Sequence, residues 1–336
     1  MGDTPPEIPA TLTWRKLAVE AVVLAGVALA AGLACTFLGE VGLSWDVWTM
    51  RAFRLMAAAV VGAGLGAAGM ALQALLRNPL AEPYVLGISS GAGVGVLVGT
   101  ALAPVVALPA WAGTPVLALV GAAATCGAVY GVAQRRGRLD PYALLLSGVI
   151  VNAFNGALML GIVLFLDPNR LLGFIRWGMG EVSDSIWFDR MLLVVCAGAV
   201  VAGWGVLLLR GAAFNVLGLG DAVAASSGVG VHRLRVETFA LASLMTAGAV
   251  ALAGPVGFLG LIVPHVCRMI VGPDHRRLVV HSGFVGAIAL MLADTLCRTV
   301  GQWLGAGRIP VGVLTALAGG PFFIHLLRRR FREGAP

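Results

Sequence analysis

The chain has 336 residues; 59% are hydrophobic, only 12% are charged, and the net charge is +7. A soluble domain carries about 25% charged residues, so a globule of this size could not cover itself with polar surface, and disorder is excluded because disordered segments are charged and poor in apolar residues. With a mean hydropathy of +0.93 the class is an all-α polytopic membrane protein.

A spanning helix needs about 20 apolar residues. Such runs number about ten, at 17–38, 53–76, 91–108, 113–133, 142–166, 190–209, 236–253, 256–271, 279–302 and 310–327, the third and eighth being short or interrupted by Gly and Pro. The first is too long for the apolar region of a signal peptide and lacks a cleavage site. It reads as a spanning helix behind a cytoplasmic tail, 1–16, that carries Arg15 and Lys16. Glycine is abundant, at 47 residues, without a collagen period. Stretches such as Gly62–Gly66 and Gly91–Gly99 present small-xxx-small faces that let helix backbones approach closely.

Two longer stretches do not span. Asp167–Asp189 mixes Trp177, Trp187 and Phe188 with Glu181, Asp184 and Asp189, the pattern of an interfacial helix with an aromatic anchor. Residues 211–235 contain a weakly apolar, small-residue segment, Leu217–Val229. It predicts a short helix outside the bilayer whose apolar face needs a partner.

Orientation follows from the positive-inside rule. With the N-terminus in the cytoplasm, 16 of the 23 Lys and Arg lie inside; Arg51, Arg54, Arg170, Arg176, Arg190, Arg298 and Arg308 lie outside. An even helix count also returns the C-terminal tail, 328–336, with its arginine cluster to the inside. The positive charge thus reads as topology, since basic residues sit at the ends of apolar runs, and not as a nucleic-acid surface.

Little covalent chemistry is visible. The five cysteines form no C-x-x-C pair and the five histidines no H-E-x-x-H, so no metal site is suggested. The only lysine is Lys16, so there is no phosphate-binding loop and the chain hydrolyses no nucleotide by itself. Gly87–Gly91 fits G-x-S-x-G, but the residues before it read as a loop, not the strand a nucleophile elbow needs.

The polar groups in or near the membrane carry more weight. Asp294 and Arg298, four apart on one helix, share a face and can form a structural ion pair. Asn152 and Asn155, near Ser147, could line a translocation path or bond to neighbouring helices. Arg51 and Arg54 run against the positive-inside trend. They suit either docking of an acidic partner or snorkelling to lipid phosphate.

Three motifs carry a family resemblance. RNPLAEPYVLGISSGAG at 77–93, GPVGFLGLIVPH at 254–265 followed by GPDHRR at 272–277, and Asp294 with Arg298 before IPVGVLTALAGGP at 309–321 resemble, in family order, bacterial type II ABC importer permeases of the FecCD type. The resemblance covers nearly the whole chain after about residue 50. It implies a type II importer fold in one permease domain, a homodimer, and multi-pass placement in the bacterial cytoplasmic membrane with both termini inside. It further implies two separate ATPase subunits that hold ATP and Mg, a substrate-binding protein outside, no cofactor on this chain, and a metal chelate as cargo: a ferric siderophore first, haem or vitamin B12 next.

The resemblance also assigns residues. Segment 220–229 is similar to the family's coupling helix, giving Gly220, Asp221, Ala224, Ala225 and Gly228 as the ATPase contact, with Ser227 where the family has Leu. Arg51, Arg54 and Arg298 match arginines that bind acidic knobs on the delivery protein, Phe53 replacing the family's proline. Ser147, Asn152 and Asn155 fall on the helix that lines the path. The rivals are a secondary transporter driven by an ion gradient, which needs a relay of ionisable residues at mid-membrane, and an intramembrane hydrolase built on Ser89.

Overall fold

The structure is a computed structural model that describes residues 12–38, 44–103, 113–135, 137–182, 190–305 and 307–332. These form a helical bundle. In chain order come α1 (Trp14–Phe37), α2 (Trp45–Leu76), a 3₁₀ turn (Pro83–Leu86), α3 (Ile88–Leu102) and α4 (Thr114–Ala133). A two-residue hairpin, β1 (Gln134–Arg135) and β2 (Arg138–Leu139), leads into α5 (Pro141–Val163), α6 (Pro168–Gly178) and α7 (Arg190–Gly218). The chain ends with α8 (Asp221–Ser226), α9 (Val231–Ala253), α10 (Leu259–Val271), α11 (His275–Trp303) and α12 (Val311–Arg332).

Each of the ten predicted runs carries a helix over most of its described residues. Seven (α1, α2, α4, α5, α7, α9 and α11) are long and apolar enough to cross a bilayer; α3, α10 and residues 311–324 of α12 are shorter apolar helices. A break in the helical ladder precedes each of α3 and α10, whereas Pro264 is accommodated inside α10. Pro83, at the start of its turn, cannot donate a ladder hydrogen bond, and Phe258, at the cap of α10, takes a left-handed φ of 65°.

The segment boundaries need correction. Helix α1 is capped by Thr13, whose Oγ1 accepts from the backbone N–H of Lys16 at 3.3 Å, so Arg15 and Lys16 are helical and not part of a loose tail. Helix α7 runs on to Gly218 because Phe214 and Leu217 are buried in the bundle. The predicted 211–235 segment therefore opens on the last turns of α7 and closes on the first of α9, with α8 between them. At the other end α12 carries the basic cluster as helix up to Arg332. The interfacial segment is represented by α6, which buries none of its residues; Asp184, Trp187, Phe188 and Asp189 lie outside the described residues.

Small residues set the packing. Helix α2 is buried over most of its 32 residues. A Cβ on Gly62 would lie 2.1 Å from the carbonyl oxygen of Gly286 on α11, one on Gly66 2.2 Å from that of Ser282, and one on Gly69 1.9 Å from that of Gly260 on α10. Helices α3 and α4 meet in the same way through Gly91 and Gly121. The backbones touch, and dispersion between them replaces the hydrophobic drive that lipid cannot supply. Outward faces of α1 and α5 leave Val22, Leu29, Ile150 and Phe154 exposed, as apolar solvent requires.

Candidate functional site: a coupling helix, a polar seam and an outer arginine cluster

Helix α8 stands off the bundle between two glycines with positive φ, Gly220 (122°) and Gly228 (81°). Only glycine adopts such angles without strain. Ala224 is fully buried against the bundle, while Ala222, Val223, Ala225 and Ser226 face away from it. The carboxylate of Asp221 accepts from Arg77 and, at 2.8 and 2.9 Å, from Nη2 of Arg235. Arg77 caps α2 in the left-handed conformation, φ 48°, and its N–H donates back to Ala74. Arg235 lies in the second turn of α9. One carboxylate therefore ties α8 to α2 and α9 together.

Of the residues predicted to contact an ATPase, Ala225 presents outward and Ala224 inward. Gly220 and Gly228 shape the turns, and Asp221 holds the clamp. Arg77 and Arg235 were not legible as its partners, because their sequence separations of 144 and 14 residues carry no periodic signal. The available hint was a non-glycine residue directly before Asn-Pro, where a helix stops.

The polar residues of α5 make a seam. Asn152 donates from Nδ2 to the carbonyls of Tyr84 and Val85 at 3.0 and 3.1 Å and accepts from Ser90 Oγ at 2.6 Å. Asn155 donates to Ser90 Oγ (3.1 Å) and Thr125 Oγ1 (3.2 Å). Ser147 is buried and bonds back to Leu144 at 3.0 Å within its own helix. The asparagines thus join α5 to the 3₁₀ turn, α3 and α4, and satisfy carbonyls that the Pro83 break leaves open. Asn152 also lines a cavity of about 510 Å³ with Tyr84, Ser90, Met159, Phe174 and Trp177, and among the described residues no charged one borders it. Ser147 and Asn155 do not border this cavity, although Asn155 borders another between α3, α4 and α5.

The two broken segments dock on each other. The N–H of Phe258 donates to Glu82 at 2.5 Å, and that of Val256 to the hydroxyl of Tyr84 at 2.8 Å. The first two sequence motifs are therefore one structural unit.

The outer arginines are arranged differently from expectation. Asp294 does not pair with Arg298. Its carboxylate takes a two-pronged grip from Arg54, Nε at 2.8 Å and Nη2 at 2.7 Å, with both side chains buried. The planar fork matches a buried carboxylate better than a single contact along the helix. Arg298 instead donates from Nη2 to the carbonyls of Cys35 (3.1 Å) and Leu38 (2.9 Å), and Arg51 donates to that of Thr36 (3.0 Å). The last carbonyls of a helix lack partners in their own ladder, so two arginines close the end of α1. Arg51 and Arg54 are 8% and 5% exposed, which removes them from a simple docking surface. Arg298 is the partly exposed member.

The bundle thus combines two mutually docked helix breaks with a short exposed helix clamped to its spanning helices. The family model for the FecCD transport family matches residues 43–329, and the chain belongs to that family. It is 40% identical over 287 residues to the cobalamin import system permease protein BtuC of Halobacterium salinarum, covering 84% of this chain and 73% of the relative. It is 36% identical to the vitamin B12 import system permease protein BtuC of Vibrio cholerae, covering 94% and 95%. The hemin transport system permease protein HmuU of Yersinia pestis is 36% identical, with 85% and 84% covered. Among solved structures, an inward-facing metal-chelate type ABC transporter superposes with a TM-score of 0.80 at 26% identity, covering 94% of this chain and 99% of that one.

Proposed function

We propose that this chain is the gate half of a homodimeric importer in the bacterial cytoplasmic membrane. With both termini inside, α8 meets a separate ATPase subunit that holds ATP and Mg, and this chain itself carries no catalytic group and no cofactor. The observation that carries the reading is the Asp221 clamp. A six-residue helix has little stability of its own, and here it is tied to two spanning helices while its outer face stays open. A push on α8 is thereby delivered to α2 and α9. Only a ligand with different affinity for two states can move a gate; ATP on the partner, read through α8, is that ligand.

The cargo in this reading is a metal chelate brought by a substrate-binding protein. The uncharged cavity at Asn152 suits a bulky chelate already selected outside. Family frequency puts ferric siderophore first and haem or vitamin B12 next; the relatives bearing cobalamin names move a corrinoid to the front. Docking of the delivery protein falls to Arg298, the partly exposed arginine, while the buried Arg51 and Arg54 hold the α1 and α11 ends in place. Nothing favours an ion-gradient mechanism: Asp294, buried in a spanning helix, is engaged by Arg54.

The test is uptake into liposomes holding this chain with its ATPase and binding protein, fed in turn with cyanocobalamin, hemin and a ferric siderophore. ATP-dependent accumulation of one cargo, sharply reduced by Asp221→Ala, is the expected result. Uphill uptake by this chain alone would overturn the reading.

A further inference from the structure

Helix α10 contains Pro264, and a proline offers no N–H to the carbonyl four residues before it. That carbonyl belongs to Gly260, which is buried and faces α2: a Cβ on Gly69 would collide with its oxygen. About one turn further along α2, Gln73 brings a side-chain amide to the same place, and it is only 3% exposed. Its Nε2 lies 3.5 Å from the carbonyl oxygen of Gly260 and 3.4 Å from that of Leu261, and its Oε1 accepts from Nη2 of Arg268 at 3.2 Å. Arg268 is in the last turn of α10, and a long helical side chain leans back toward the start of its helix. One amide thus braces α10 on both sides of Pro264, as donor to the carbonyls before it and acceptor for the arginine after it.

This brace differs in kind from the contact near the outer end of α2. There Arg54 and Asp294 make two short bonds between charges, the strong and geometrically fixed kind. Gln73 works through a neutral amide whose donor is shared between two carbonyls, so it ties α10 to α2 and still lets the two shift. It comes four residues before Arg77, about one turn, and Arg77 holds Asp221 of α8. At its other end α10 starts from the docked breaks, where the N–H of Phe258 meets Glu82 and that of Val256 meets Tyr84. Tyr84 and Pro255 border the cavity at Asn152. A continuous set of contacts therefore runs from α8 through Arg77 and Gln73 to α10, and on to the cavity wall.

We infer that Gln73 is a positioning residue for transport: it carries displacement of the inner end of α2 to α10, and through the docked breaks to the cavity. This role rests on the transport reading above and divides the labour within it. Asp221 takes up the motion of the ATPase, and Gln73 passes it on. Loss of Asp221 weakens the hold on the ATPase. Loss of Gln73 leaves the ATPase attached and turning over while the cavity wall no longer follows.

The experiment uses the full chain in liposomes with its ATPase and binding protein, fed cyanocobalamin, hemin or a ferric siderophore, whichever the wild type accumulates. Uptake, ATP hydrolysis and ATPase capture are measured on the same preparations. With Gln73→Leu, capture and hydrolysis are expected to persist while cargo moved per ATP falls by about tenfold, within the range that residues along a coupling network command. Arg268→Leu removes only one arm of the brace and is expected to lower that ratio by about threefold. Arg268 is only partly buried, so this variant carries the test even where Gln73→Leu fails to fold. Unaltered cargo per ATP in both variants overturns the inference. So does a parallel fall of capture, hydrolysis and uptake that tracks melting temperature, the mark of a purely structural brace. Uphill uptake by the wild-type chain without its ATPase would instead sink the transport reading, and it registers before any variant is made.

Discussion

Arg54 on α2 and Asp294 on α11 form a buried, two-pronged ion pair, 2.7 and 2.8 Å, that pins the outer halves of the two helices whose glycines interlock further in. At the other end of α2, Arg77 reaches Asp221 of α8. A helix of 32 residues, about 48 Å long, thus holds an ion pair near each end, one deep in the bundle and one at an exposed surface.

The buried pair should be costly to halve. Arg54→Ala leaves Asp294 charged and unpaired, and a loss of about 3–5 kcal/mol is expected for breaking such a pair. Replacing both partners by leucine should cost much less than either single truncation. Thermal unfolding of the three variants in detergent checks the order; equal losses for the single and double variants would contradict it.

Asp221 behaves oppositely. Its side chain is 48% exposed, so Asp221→Ala should change stability by about 1 kcal/mol or less. Capture of the ATPase and ATP-driven uptake should nonetheless fall by about tenfold, equivalent to about 1.4 kcal/mol of lost coupling. Unaltered uptake with unaltered stability would remove the clamp from the mechanism.

Packing at the glycine seam predicts a sharp contrast. Gly62→Ala forces a methyl onto the Gly286 carbonyl, where the gap for a Cβ is 2.1 Å, and should cost about 1–3 kcal/mol or prevent folding. Gly205→Ala, with nothing within 4 Å, should be neutral or stabilise by about 0.5–1 kcal/mol, since mid-helix glycine is unfavourable. Melting temperatures of the two variants decide the matter.

Asp274 gives a pH signature at the start of α11. Burial alone would raise its pKa, but hydrogen bonds from the Arg276 side chain, Asn215 and the Arg276 backbone hold it down, at about 2 against an ordinary 3.8. A folded-state pKa below the unfolded one stabilises above the unfolded value, and that contribution is lost as pH falls through the folded value. Melting temperature should therefore drop between about pH 4 and pH 2. Asp274→Asn should flatten the drop, and an identical slope in the variant would exclude this residue as its source.

Composition and the spacing of apolar runs determined the class of protein, the ten helical runs and the small-residue packing faces. These depend on transfer from water to lipid and on backbone approach, which are local properties of each segment. Motif order gave the family. The tertiary structure alone decided which charges meet. Asp294 and Arg298 are correctly spaced to pair along one helix, yet a fork from another helix 240 residues away satisfies the buried carboxylate better, and the released Arg298 closes the end of α1. In the same way α8 was visible as a short helix, but its clamp to Arg77 and Arg235 was not. A buried or bridging charge takes the partner whose geometry best replaces water, and that choice is set by how the helices pack, which no local pattern encodes.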